Sequence, residues 1–416
     1  MLVTNPKKHL NIPSDIKRLP PEITQNNSGT IKKQPNLFRI AFLISLCLAG
    51  AFFSYMKFRS EVAIELCFLA LIIPALYYIS CGFANINIAL KSYRLALFYL
   101  IPLFFSFIFS IDENTDLFRD LVMLMNLFLA FFLASLFGSR PEHDLPHLVM
   151  RQLTFLLIPL FIYVLITQQH AYIWGRWTPF GIQPNWWGMM SLGLAWCCFT
   201  WKNLWVRFVT LGLCLYFMVS VQSRGSIAAF LPVIFFASGW FYPLSKKNML
   251  NLFVCLFLGF LLALTWGIYS EVSLLNKITD FLINDVMRMN DPNRGLNTGL
   301  TGRTEGYQMA WKGFLESPVF GNGFKDYSFV HNGFLLTLAE SGIFAFIGMT
   351  YLFVTSIRSA IKGKRWSNMG YLLSYSLALM TFPRSFNINL TGILLLSVMM
   401  AEISYRFIPR KRVKIV

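Results

Sequence analysis

Apolar residues in this chain come in long unbroken runs, separated by short polar connections. About twelve runs can be marked, at 37–56, 62–81, 93–111, 117–138, 152–167, 185–201, 204–221, 225–242, 249–269, 332–355, 369–382 and 390–408. Each approaches the ~20 residues a helix needs to cross a bilayer. In lipid a helix satisfies every backbone polar group within its own segment. The pattern therefore predicts an all-α polytopic membrane protein with about twelve transmembrane helices, nine of them within 37–269 and three within 332–408. Residues 1–36, polar and carrying Pro13, Pro20, Pro21 and several lysines, read as a disordered basic tail. The first apolar run is long enough to span and lacks a small-residue cleavage pattern, so it is expected to stay in the membrane. A second basic tail occupies 409–416.

One long polar interruption, 271–340, stands out. Connections longer than about 15 residues between packed elements are usually functional or disordered. This one has helical patterning. Leu275, Ile278, Phe281, Leu282 and Met289 suit an amphipathic helix lying on the membrane face. Residues 303–316 read as a second helix, stopped before Pro318, with Tyr307, Trp311 and Phe314 on one side. Gly321-Asn322-Gly323 predicts a turn, and the chain returns to the membrane at His331-Asn332. The loop domain is thus 270–331.

Composition supports the membrane reading. Of 416 residues, 56% are hydrophobic and 13% charged, against about 25% charged in a soluble chain. The net charge of +17 does not point to nucleic acid, because most Lys and Arg flank apolar runs and so face anionic lipid headgroups. The seven cysteines lie in or beside apolar runs, with neither a disulfide framework nor a zinc spacing. The five histidines are scattered, so no metal site and no cofactor is expected.

Positive charge also sets orientation. With the N-terminal tail cytoplasmic, Lys91 and Arg94, Arg140 and Arg151, Lys202 and Arg207, Lys246 and Lys247, and the cluster from Arg358 to Arg365 all fall inside, as does the C-terminal tail. The acidic connection 112–116 falls outside, and only Lys57 and Arg59 run against the rule. Both termini are then cytoplasmic. Four arginines on the outer side are singled out: Arg176, Arg224, Arg303 and Arg384. Arg176 and Arg384 fit snorkelling to headgroups as well as ligand binding. Arg303 fits a helix-surface charge as well as a ligand contact. Arg224, in the tight turn Ser223-Arg224-Gly225, is harder to dismiss. A guanidinium presents a planar fork of donors matched to phosphate oxygens, so a cluster of them at the lipid interface suits a diphosphate headgroup. His331 shares this side, at a helix start, beside Asn332, which could cap the helix or orient the ring. An imidazole there could take a proton from a sugar hydroxyl.

These pieces together resemble the O-antigen ligases, within the wider group of O-antigen polymerases and ligases. The match rests on Ser223-Arg224-Gly225 after a span, Gly302-Arg303 opening a loop helix with Trp311, and His331-Asn332 with Leu336 and Gly342 entering the next span. The stretch with Arg176 and Pro184-Asn185 is also similar to a recurring family segment. The resemblance implies a metal-independent, inverting glycosyltransferase of the bacterial inner membrane, with its active site in the periplasmic loop. The implied donor is a glycan on undecaprenyl diphosphate, and the implied acceptor a sugar of the lipid A-core oligosaccharide. It implies that Arg224 and Arg303 hold the diphosphate and that His331 is catalytic, activating the acceptor hydroxyl. Arg176, Arg384 and Asn332 are the further expected substrate contacts, Arg384 on topology alone.

Other readings fit parts of the same pattern. An O-antigen polymerase uses the same donor, and so does a protein O-oligosaccharyltransferase, which is expected to carry a larger region after its last spans. A lipid or solute transporter would place ionisable groups near the midplane. Here the spans hold few, Glu65, Glu340 and Glu402 among them.

Overall fold

The structure, a computed structural model, describes residues 35–58, 69–109, 117–173, 176–237, 258, 303–323, 330–380 and 390–408. The expected ninth span at 249–269, the surface helix at 272–289, Arg384, the acidic connection and most of both tails lie outside these residues.

The described chain folds into α1 (Pro35–Phe58), α2 (Ile72–Ser80), α3 (Ile86–Phe109), α4 (Leu117–Phe137) and α5 (Leu145–Thr167). A minimal antiparallel pair follows, β1 (Tyr172–Ile173) with β2 (Arg176–Trp177), the one departure from all-α structure among the described residues. Then come α6 (Pro184–Phe199), α7 (Leu204–Ser220), α8 (Arg224–Ala237), α9 (Arg303–Glu316), α10 (Gly333–Lys362), α11 (Trp366–Leu379) and α12 (Leu390–Ser404). Five of the described helices are long and apolar enough to cross a membrane, within 36–54, 86–109, 120–137, 141–167 and 333–362. Shorter apolar helices occupy 204–220, 224–236 and 391–404. This is a membrane protein.

Its surface is inverted relative to a soluble fold. Phe98, Met125, Ile166, Phe208 and Trp205 are exposed, whereas Ser45, Ser92, Ser191 and Ser374 are buried between helices. Without a hydrophobic drive between helices in lipid, close packing and interhelical hydrogen bonds hold the bundle. The Ser92 and Ser404 hydroxyls meet at 2.8 Å between α3 and α12. Thr391 Oγ1 donates to the Met189 carbonyl at 2.6 Å between α12 and α6. Glycine permits the closest crossings. A Cβ on Gly348 would lie 2.3 Å from the Phe98 carbonyl oxygen, where α10 crosses α3.

Two helices begin earlier than the hydropathy predicts. The third starts at Ile86 rather than 93 because Asn85 Oδ1 accepts from Ile88 N at 3.2 Å. The fifth starts at Leu145, with proline in its first turn, rather than at 152. Lys91, Arg94 and Arg151 therefore sit within helices, where long side chains snorkel to the interface. The tenth expected span runs to Lys362 and is broken at Gly342.

Hydrogen bonds fix which ends lie together. Connections 200–203 and 221–223 bring the starts of α6 and α8 to one end. Thr391 against Met189 adds the start of α12. Ser356 Oγ reaches the Met399 carbonyl and Ser359 Oγ the Glu402 carbonyl, so α10 runs parallel to α12 and also begins there. At the opposite end lie Lys91, Arg94, Arg140, Arg151, Lys202, Arg207, Arg358, Lys362, Lys364, Arg365 and Arg406. That end also holds a buried ion pair. Arg365 Nε donates to Glu402 Oε1 at 2.6 Å, Asn368 Nδ2 donates to the same oxygen at 2.7 Å, and the guanidinium lies over the Tyr405 ring at 3.7 Å.

Candidate functional site

The end where α6, α8, α10 and α12 begin gathers the residues of interest. Arg224 is the first residue of α8 and is half-buried. The chain reaches it through a tight turn in which Gln222 takes a left-handed φ of 52° and Ser223 N donates to the Met218 carbonyl at 3.0 Å. Ser223 and Ser226 share a hydroxyl hydrogen bond at 2.9 Å. Helix α6 packs directly on this turn: a Cβ on Gly188 would lie 2.3 Å from Ser223 Oγ. The start of α8 is therefore fixed by the bundle.

Arg176 stands in β2, where Ile173 pairs with it across the hairpin. Trp177 Nε1 donates to the Gln168 carbonyl at 2.6 Å, tying the hairpin to the end of α5, and Trp187 Nε1 of α6 donates to the Pro179 carbonyl at 3.1 Å just after it.

Arg303 opens α9, whose bounds match those the sequence predicts. Helix α9 runs beside the first turns of α10, with Tyr307, Ala310, Val330, Leu335, Leu336 and Ala339 forming a small apolar cluster apart from the main core. The Tyr307 hydroxyl donates to the His331 carbonyl at 3.4 Å. Arg303 lies four residues before Tyr307, about one helical turn, so it stands on the same face at the His331 end. His331 is half-buried, immediately before the cap of α10. Asn332 is that cap, its Oδ1 accepting from Phe334 N and Leu335 N, each at 3.1 Å. Its carbonyl oxygen is thus engaged by the helix, which narrows the substrate contact expected of it to the Nδ2 side.

An interlock that the sequence pattern did not reveal joins α9 to α10. At Gly342 (φ 72°, ψ −175°) the helix is interrupted, leaving backbone groups to be satisfied from outside. The segment after α9 supplies them. Asn322 N donates to the Ala339 carbonyl at 2.8 Å, Gly323 N to the Glu340 carbonyl at 2.9 Å, and Ile343 N to the Pro318 carbonyl at 2.9 Å. Ser106 Oγ of α3 donates to the same Glu340 carbonyl at 2.5 Å, and Phe320 packs on Phe109 at 4.6 Å between ring centroids. Glu340 itself is buried at this junction. The signals were present as Gly321, Gly323 and Ser341-Gly342, but hydropathy reads straight through the latter pair.

The structure therefore sets the first turns of α9, which Arg303 opens, beside His331 and Asn332 at the start of α10, and sets Arg224 and Arg176 at the same end of the bundle. Arg384 lies outside the described residues. Two cations passed over in the sequence reading, Arg119 on α4 and Lys312 on α9, also lie at this end. Among the described residues no three His, Cys, Asp or Glu side chains gather as a metal site. What the arrangement offers chemically is positive potential, from arginines and from helix N-termini whose partial charge favours anions, beside an imidazole.

No curated protein matches the sequence. Residues 209–350 match a family model described as O-Antigen ligase. The match contains Arg224, Arg303, His331, Asn332 and the Gly342 break, and leaves Arg176 and Arg384 outside. Over this region the sequence is similar to the O-antigen ligase family, a group of glycosyltransferase-like enzymes that includes ligases and polymerases.

Proposed function

We propose that this protein is an O-antigen ligase, transferring a glycan from undecaprenyl diphosphate to a sugar hydroxyl of the lipid A-core on the periplasmic face of the bacterial inner membrane. The observation that carries the reading is the common end of α8 and α10, which puts Arg224 on the side of His331, with Arg303 delivered to that side by α9. The dense cationic rim at the opposite end supports a cytoplasmic orientation for it, with about twelve spans in all and both termini inside.

A diphosphate is already a good leaving group. The chemistry required is stabilisation of its growing charge and removal of a proton from the acceptor. Arg224 and Arg303 supply the first: preorganised donors in a poorly hydrated cleft stabilise developing charge with little reorganisation. His331 supplies the second, accepting the acceptor's hydroxyl proton as the new glycosidic bond forms and the bond to the diphosphate breaks. Attack from the face opposite the leaving group inverts the anomeric centre. No metal enters this scheme. Confining both lipid-anchored substrates to one membrane removes much of the encounter entropy. Arg176 and Arg384 are further proposed contacts for the substrate.

The test separates the roles. His331→Ala should leave binding of the lipid-linked donor intact while transfer falls by about 10²–10⁴-fold. Arg224→Ala and Arg303→Ala should weaken donor binding as well. A His331→Ala variant that loses donor affinity with an unchanged chemical step would make His331 a binding residue.

A further inference from the structure

We propose that Gly321, Gly323 and Gly342 are positioning residues for the reaction, because they permit the backbone interlock that holds α9, and with it Arg303, in register with His331. The inference rests on the roles given above to Arg303 and His331.

The argument begins with what else could hold α9. Its apolar contacts form a small cluster of Tyr307, Ala310, Val330, Leu335, Leu336 and Ala339, separate from the core of the bundle. Met309, Trp311 and Leu315 of the same helix are exposed. Such a contact orders a helix weakly, since stabilisation scales with the apolar area buried. The first turns of α10 are likewise cut off from the rest of that helix by the break at Gly342. Three backbone hydrogen bonds between 318–323 and 339–343 join these two loosely held pieces. Asn322 Nδ2 adds a fourth, to the Gly313 carbonyl near the end of α9, at 2.8 Å. Ser106 and Phe320 then fasten the joint to α3.

The interlock needs glycine from both sides. Gly321, Gly323 and Gly342 all have positive φ, at 71°, 75° and 72°, and the φ/ψ combination of Gly342 belongs to a region that is essentially glycine-only. A Cβ on Gly342 would lie 2.2 Å from the Val319 carbonyl oxygen, and one on Gly321 2.4 Å from the Glu340 carbonyl oxygen. The obstructing atoms are backbone, so neither contact is relieved by rotating a side chain. Either substitution must part the two segments or straighten α10.

The test measures that geometry apart from activity. Nitroxide labels at Met309→Cys on α9 and Ile347→Cys beyond the break, both exposed positions, report the α9–α10 distance by double electron–electron resonance in nanodiscs. The background is the cysteine-free protein. Gly342→Ala and Gly321→Ala should each shift or broaden the distribution. Gly212→Ala, where an added Cβ meets nothing within 4 Å, should not. A displacement of about 1 Å at a reacting centre can cost about 10²-fold, so transfer should fall by about ten- to hundredfold in the first two variants alone. Should Gly342→Ala fail to fold, Gly321→Ala probes the same contact from the opposite segment. Unchanged distances in the folded variants overturn the interlock as the positioning element. Changed distances with full transfer overturn its role in the reaction. Changed distances in a protein whose parent transfers no glycan overturn the reading of the site instead.

Discussion

Asn332 distinguishes a structural from a substrate-binding role by a single pair of substitutions. Its Oδ1 accepts two backbone N–H groups at 3.1 Å each, from Phe334 and Leu335. Replacing an N-cap asparagine by alanine costs about 0.5–2 kcal/mol, whereas serine caps comparably well. A loss of about 1–2 kcal/mol changes a folded-to-unfolded ratio by about 5–30-fold. In Asn332→Ala the amides of Phe334 and Leu335 should therefore exchange with solvent about 5–30-fold faster, read by hydrogen–deuterium exchange of the peptide that opens α10. Transfer should fall with it, because His331 sits one residue before the cap. Asn332→Ser should restore both exchange protection and transfer. Native protection in Asn332→Ser with transfer still lost would refute the reasoning and assign the asparagine to the substrate.

Other perturbations follow from the same geometry. Arg224→Lys and Arg303→Lys keep the charge but lose the bidentate fork; a hydrogen bond to a charged group contributes about 1.5–3 kcal/mol, so transfer assays should show roughly ten- to hundredfold losses. Gly188→Ala, which must displace Ser223 at the entry to α8, should raise the KM for the donor, measured by titrating lipid-linked glycan. Arg365→Ala leaves the Glu402 carboxylate buried and without its cation, a change that costs about 3–5 kcal/mol and should lower the thermal unfolding midpoint in detergent. Single cysteines at 224, 303 and 331 should react with an impermeant thiol reagent added from the periplasm, and one at 363 should not.

Much of this architecture is legible in hydropathy, because lipid demands contiguous apolar helices. Helix α9 was also legible to its termini, since Gly302 precedes it and Pro318 closes the segment behind it. Helix starts near charge were less so. Lys91, Arg94 and Arg151 look like loop residues in a hydropathy scan, yet a long aliphatic stem lets a charged head reach water from within a helix. The break in α10 was invisible for a different reason. Ser341-Gly342 is flanked by apolar residues on both sides and contains no proline, and its partner segment lies some twenty residues away in sequence. Likewise, the twin acceptance at Asn332 depends on backbone direction, which the pair His331-Asn332 leaves open between capping and binding.

The most direct test of the central claim is reconstitution of the purified chain in vesicles with an undecaprenyl-diphosphate-linked glycan, offering lipid A-core or a second lipid-linked glycan as acceptor. The account predicts glycan joined to lipid A-core, unaffected by chelators and abolished in His331→Ala. Extension of the lipid-linked glycan alone would make the protein a polymerase, and movement of the donor across the bilayer without a new glycosidic bond would contradict the account.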